Sequence, residues 1–142
     1  GQEPATKKYV DDKLAGKIVW KDASEQAFSV TTTADVAWTV LDLTAYTSAT
    51  AKIALLYLWV TIYPTTQTLV EASIQVRKNG TTPNDHPYCQ YCLLAATSPS
   101  YYAGHINFVL CGMDSSQNIE YRVHVDSGLE VNAGIVVLGY IE

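Results

Sequence analysis

At 142 residues the chain has the size of one domain, and folding at that length buries roughly two-thirds of the unfolded surface, so no metal or disulfide staple is required. Nine basic residues against fourteen acidic ones give a net charge of −5, which disfavours both a nucleic-acid partner and adsorption to an anionic membrane. The longest apolar run, Ile53 to Ile62, is about half of what a membrane helix needs, and three cysteines leave at least one thiol unpaired within the chain, as suits a reducing compartment.

Charge density changes near residue 25. Residues 1–25 hold five lysines and five acids, whereas the other 117 residues hold four basic and nine acidic side chains and carry the whole net charge. The pattern predicts an N-terminal stalk or helical connector over 1–24 and a β-domain over 25–142. In the stalk, Thr6 is placed to cap a short helix and Gly16 to end it, with Val10, Leu14 and Ile18 in one apolar stripe. A helix this short is marginal alone, so Val10 and Leu14 are expected to lie against a surface or around a symmetry axis.

From residue 26 onward the period is two. Val70, Ala72, Ile74 and Val76 alternate with Glu71, Ser73, Gln75 and Arg77, and Ile119, Tyr121, Val123 and Val125 alternate with Glu120, Arg122, His124 and Asp126. Breakers such as Asn79-Gly80 and Ser127-Gly128 separate the runs. Eight strands are predicted, near 26–33, 36–43, 51–63, 69–78, 87–96, 103–112, 118–126 and 130–141. No repeat of fixed period is present, so the expected fold is an all-β, about eight-stranded antiparallel β-sandwich of jelly-roll type.

Two of these strands are apolar on both faces. In 51–63, Ala54, Leu56, Leu58, Val60 and Ile62 share one face, and Ile53, Leu55, Tyr57 and Trp59 the other. In 130–141, Val131, Ala133, Ile135, Val137 and Ile141 oppose Val136, Leu138 and Tyr140. A sandwich strand needs one apolar face, so the second requires a cover, most economically symmetry mates. Tyr57, Trp59, Leu138 and Tyr140 are therefore predicted interface residues.

Candidate chemistry is sparse. His86, Cys89, Cys92 and Cys111 hold the residue types of a Cys₃His zinc site, but there is no second C-x-x-C pair, and residues three apart on a strand point to opposite faces. Buried structural thiols are expected, with no metal and no cofactor. His124 sits among Glu120, Arg122 and Asp126, but side chains two apart on a strand are about 7 Å apart, beyond hydrogen-bond reach, so a wet face is expected. No H-x-H pattern, nucleophile elbow or phosphate loop occurs, and no catalytic residue is assigned. Among ten tyrosines, Tyr63, Tyr101 and Tyr102 fall in or beside predicted loops and are the candidate binding residues. Strand reversal places them at the end of the sandwich away from residue 25.

Residues 5–16, Ala-Thr-Lys-Lys-Tyr-Val-Asp-Asp-Lys-Leu-Ala-Gly, resemble the A-T-K-x-Y-V-D segment of bacteriophage tail-fibre and related virion proteins. The ending Ile135-Val136-Val137-Leu138-Gly139-Tyr140-Ile141-Glu142 is similar to the final strand of small jelly-roll modules on such proteins. The resemblance implies a non-enzymatic homotrimer on the virion surface, joined to other virion proteins through its N-terminus and presenting loops to a host-surface glycan or protein. A head-decoration protein and a free carbohydrate-binding module are the alternatives.

Overall fold

Strict alternation over most of the chain yields strands and nothing else among the described residues. The computed structural model describes residues 18–82, 90–97 and 102–142. Its elements are β1 (Ile18–Thr32), β2 (Val36–Asp42), β3 (Ile53–Ile62), β4 (Val70–Lys78), β5 (Gln90–Ala96), β6 (Ala103–Gly112), β7 (Asn118–Val125) and β8 (Val131–Ile141). They form two four-stranded sheets in the orders β1-β8-β3-β6 and β2-β7-β4-β5, with every pairing antiparallel. Each connection except β4–β5 crosses from one sheet to the other, which is the winding of a jelly roll.

The core lies between the sheets. The first supplies Leu56, Leu58, Val60, Ile62, Val131, Ala133, Ile135 and Val137, and the second supplies Val70, Ala72, Ile74, Val76, Ile119 and Val123, all fully or nearly fully buried. Phe28 of β1 and Tyr121 of β7 bridge the layers with ring centroids 4.0 Å apart.

The first strand begins earlier than the charge pattern implies. Ile18, Val19 and Trp20 are good β-formers and pair with Ile141, Tyr140 and Gly139. Trp20 then faces Gly139 while Glu25 faces Val137, so residues 21–24 bulge outward opposite the single residue Leu138. Lys21 pins this bulge, pairing with Glu25 at 2.8 Å and donating to the Tyr46 carbonyl at 3.1 Å. The break in charge density thus marks a bulge within a strand, and residues 18–24 belong to the sandwich. Ile18 sits on that strand, not on the expected helical stripe. The remainder of the expected stalk, with Val10, Leu14 and Gly16, lies outside the described residues.

A second difference concerns β8. Leu55 faces Gly139 and Leu56 faces Val137, so Leu138 has no partner on β3 either. The bulge inverts the alternation beyond it. Tyr140 therefore pairs with Ala54 and packs against the core, while Ile141 pairs with Ile53 on the outer side.

Strand reversal sorts the loops into two poles. At the pole of Ile18, Leu43 N–H donates to the Gln117 carbonyl at 3.0 Å and Lys52 N–H to that of Ile141 at 2.8 Å. Asp114 organises this pole, accepting from Asn79 Nδ2 at 2.6 Å, Asn118 N–H at 2.8 Å and Ser116 N–H at 2.9 Å. The Asn79 amide, then the Asn118 backbone, hold its carboxyl below the ordinary value of 3.8. The opposite pole gathers the turns around 33–35, 63–69 and 126–130, and there Tyr63 N–H donates to the Glu130 carbonyl at 3.3 Å.

Candidate functional site

Residues directly opposed across antiparallel strands share a face, so the register of the first sheet gives its outer surface row by row. Starting at the Ile18 pole, the rows across β1, β8, β3 and β6 begin with Ile18, Ile141, Ile53 and Gly112, then Trp20, Gly139, Leu55 and Leu110. Gln26, Val136, Tyr57 and Phe108 follow, then Ser29, Gly134, Trp59 and Ile106. In these rows the surface is apolar over β8, β3 and β6 and polar along β1, at Gln26 and Ser29; the next row, Thr31, Asn132, Thr61 and Gly104, ends the apolar stretch toward the far pole. Phe108 is 68% exposed, Trp20 67%, Leu110 58% and Ile106 51%.

Two glycines of β8 shape this face. A methyl group at Gly134 would stand 2.5 Å from the Trp59 ring, so Trp59 lies flat over the backbone of β8. At Gly139 it would collide with the Val19 carbonyl and press on Leu55. The ring of Tyr57 packs against that of Phe108 with centroids 5.6 Å apart. Beside them Tyr57, Trp59, Thr61, Gly104, His105 and Ile106 line a hollow of about 430 Å³. Phe108 is thus a knob and the region over Gly104 a socket on one surface.

Of the predicted interface residues, Tyr57 and Trp59 lie on this face, Leu138 is half-buried in the bulge of β8, and Tyr140 turns to the core. The sequence reading missed Trp20, Ile106, Phe108 and Leu110. Their signal was the alternation of Ile106, Phe108 and Leu110 with His105, Asn107 and Val109; alternation groups residues by face without saying which face is the core.

At the far pole Tyr63 and Tyr102 meet edge to face, with centroids 5.0 Å apart and planes at 64°, and Tyr102 is well exposed. Tyr101 lies outside the described residues.

The outer face of the second sheet is polar. Arg77 and Glu120 oppose each other and pair at 2.8 Å, and the Arg77 and Arg122 guanidiniums lie 4.0 and 4.8 Å from the Trp38 ring centroid. His124 does reach a carboxylate, contrary to the spacing argument: its Nε2 is 3.3 Å from Asp126 and its Nδ1 3.1 Å from Asp35. β7 ends at Val125, so Asp126 has left the strand geometry that keeps side chains two apart out of reach.

Cys92 from one sheet and Cys111 from the other are buried in the core, and the Cys92 thiol donates to the His105 carbonyl at 3.3 Å. His86 and Cys89 lie outside the described residues, and among the described residues no three His, Cys, Asp or Glu side chains converge as a metal site would require. Burial pushes the Cys92 thiol up to about 11 and the Cys111 thiol to about 12. At pH 8 roughly one Cys111 in ten thousand is then a thiolate. Native protein is expected to react with a thiol-selective disulfide reagent at no more than one cysteine per chain until it unfolds. Rapid reaction of two or three would show that these thiols are accessible.

No protein-family model and no characterised protein sequence matches this chain. Among solved structures, the chain is similar to the Eiger TNF of S. frugiperda, at 7% identity over 88% of this chain and 90% of that one, with a TM-score of 0.44.

Proposed function

We propose that this chain is a non-enzymatic virion structural module. Three copies associate through the outer face of the β1-β8-β3-β6 sheet and present the far-pole loops to a host surface. The observation that carries the association is the exposed apolar surface built by Trp20, Ile106, Phe108 and Leu110 around the half-buried Tyr57. Left in water, a continuous face of this kind drives aggregation; buried against copies of itself, it drives assembly. The face is also asymmetric, with a knob at Phe108, a socket over Gly104 and a polar border along β1. Knob-to-socket packing is a heterologous contact, which closes into a ring of three when each copy is turned by a third of a revolution from the last. The resemblance of residues 5–16 to phage virion proteins supports the count of three and the place on the particle. The tyrosines at 63 and 102 support the far pole as the contacting end.

Light scattering coupled to gel filtration at micromolar concentration should return three times the 15.6 kDa of one chain. A monomer would remove the assembly reading. Detection of the protein in purified phage particles tests the virion setting separately.

A further inference from the structure

We infer that Asn79 is a site of spontaneous deamidation, and that its conversion to aspartate or isoaspartate unfastens the loops at the Ile18 pole. The site is complete within one protomer and independent of the association and of the virion setting. Asn79 is the one asparagine of five that glycine follows, and glycine, having no Cβ, leaves the next backbone nitrogen unscreened. The pair occupies the turn that leaves β4. Thr81 N–H donates to the Lys78 carbonyl at 3.3 Å and Gly80 has φ +79, the pattern of a type II turn with glycine in its third position. Gly80 is exposed, and a methyl group there would meet nothing within 4 Å among the described residues, so the turn is open to water on that side.

The chemistry needs only base and water. The Gly80 backbone nitrogen, having given up its proton, attacks Asn79 Cγ and forms an N–Cγ bond. The Cγ–Nδ2 bond breaks, and the departing nitrogen takes a proton from solvent and leaves as ammonia. What remains is a five-membered succinimide. Water then adds to one of its two carbonyls and breaks the bond from that carbonyl to the ring nitrogen. Opening at one carbonyl leaves aspartate and at the other isoaspartate, and either product adds a negative charge to the turn.

The charge arrives beside a carboxylate. Asn79 Nδ2 donates to Asp114 Oδ2 at 2.6 Å, and this amide is the foremost cause of the depressed Asp114 carboxyl. Asp114 in turn accepts from Ser116 N–H at 2.9 Å and Asn118 N–H at 2.8 Å, and so shapes the β6–β7 connection. Within that connection Gln117 is left-handed at φ 57 and buried; its side-chain amide donates to the Ala49 carbonyl at 3.3 Å. Its own carbonyl accepts from Leu43 N–H at 3.0 Å. Asn79 thus fastens the β4–β5 turn to a chain of bonds that reaches the β2–β3 connection. With an aspartate at 79 the contact becomes acceptor against acceptor, two like charges at hydrogen-bond distance. The same hydrogen bond sets the rate. It restrains the amide, so conversion draws on the molecules in which it is open and runs slower in the native protein than in the unfolded chain.

The test is to hold the native protein in warm, mildly alkaline buffer for weeks and to map its peptides by mass spectrometry. The mass gain of amide-to-acid conversion should collect at Asn79 ahead of Asn84, Asn107, Asn118 and Asn132, and sooner still in urea-unfolded protein. Asn79→Asp should melt about 5 °C below the parent at pH 7. That gap should narrow in acid, where one of the two carboxyls takes up a proton and becomes a donor. Asn79→Asp combined with Asp114→Asn restores a donor to the pair and should recover melting temperature. Conversion at another asparagine while Asn79 stays intact overturns the site. Equal rates in folded and unfolded protein overturn the hold of the hydrogen bond on the rate. An Asn79→Asp protein that melts with the parent, or a double variant that melts no higher than Asn79→Asp alone, overturns the part given to Asp114.

Discussion

Phe108→Lys is expected to convert the assembly into folded monomers. The Phe108 ring is 68% exposed on the isolated sandwich, and its only described ring contact is with Tyr57, so an isolated chain tolerates lysine there. In the proposed trimer the same position would be buried against a neighbour, and an unpaired ammonium in an apolar contact loses hydration that nothing restores. A loss of about 3 kcal/mol per contact corresponds to an association constant lowered more than ~100-fold. Light scattering would show a single-chain mass, and circular dichroism an unchanged β-spectrum. A variant that remains trimeric would place the contact elsewhere. Phe108 is a cleaner probe than Trp59, because Trp59 also covers the backbone at Gly134 and its loss would disturb the monomer.

Leu58→Ala should cost about 2–5 kcal/mol of folding stability, whereas Leu110→Ala in the same monomeric background should cost less than about 0.5. Both leucines stand on adjacent strands of one sheet and differ in the face they occupy. Leu58 is fully buried between the layers, so truncation leaves a cavity in a close-packed core. Leu110 is 58% exposed, and its truncation removes little that the monomer buries. Urea titration in the Phe108→Lys background separates the two effects. Equal losses would mean that the outer face is part of the fold and not an interface.

Much of this architecture was legible in the chain. Period-two alternation located every strand, and the doubly apolar pattern of 51–63 announced that β3 carries apolar side chains on both faces. The failures share a physical cause, namely that local pattern carries no register. The bulge at Leu138 reversed the facing of Tyr140 and Ile141, and it depends on three strands meeting, which no window on one strand reveals. The early start of β1 was hidden because Lys21, Asp22 and Ser24 in the bulge at 21–24 interrupt the apolar alternation, where solvent and not the core decides composition. The contacts of Trp38 with Arg77 and Arg122 were invisible for a related reason. Trp38 sits on β2, Arg77 on β4 and Arg122 on β7, so only the sheet order brings them together.

The pairing of Ile18 with Ile141 has a further consequence. Opposed residues in an antiparallel pair lie about 5 Å apart, so the polypeptide enters and leaves the sandwich through what is in effect a single doorway. Such a body can be spliced into a surface turn of another protein without prying apart the segments that flank the insertion. The turns at 63–69 and 126–130 would then point away from the host, free to accept foreign sequence while the graft point stays out of the way.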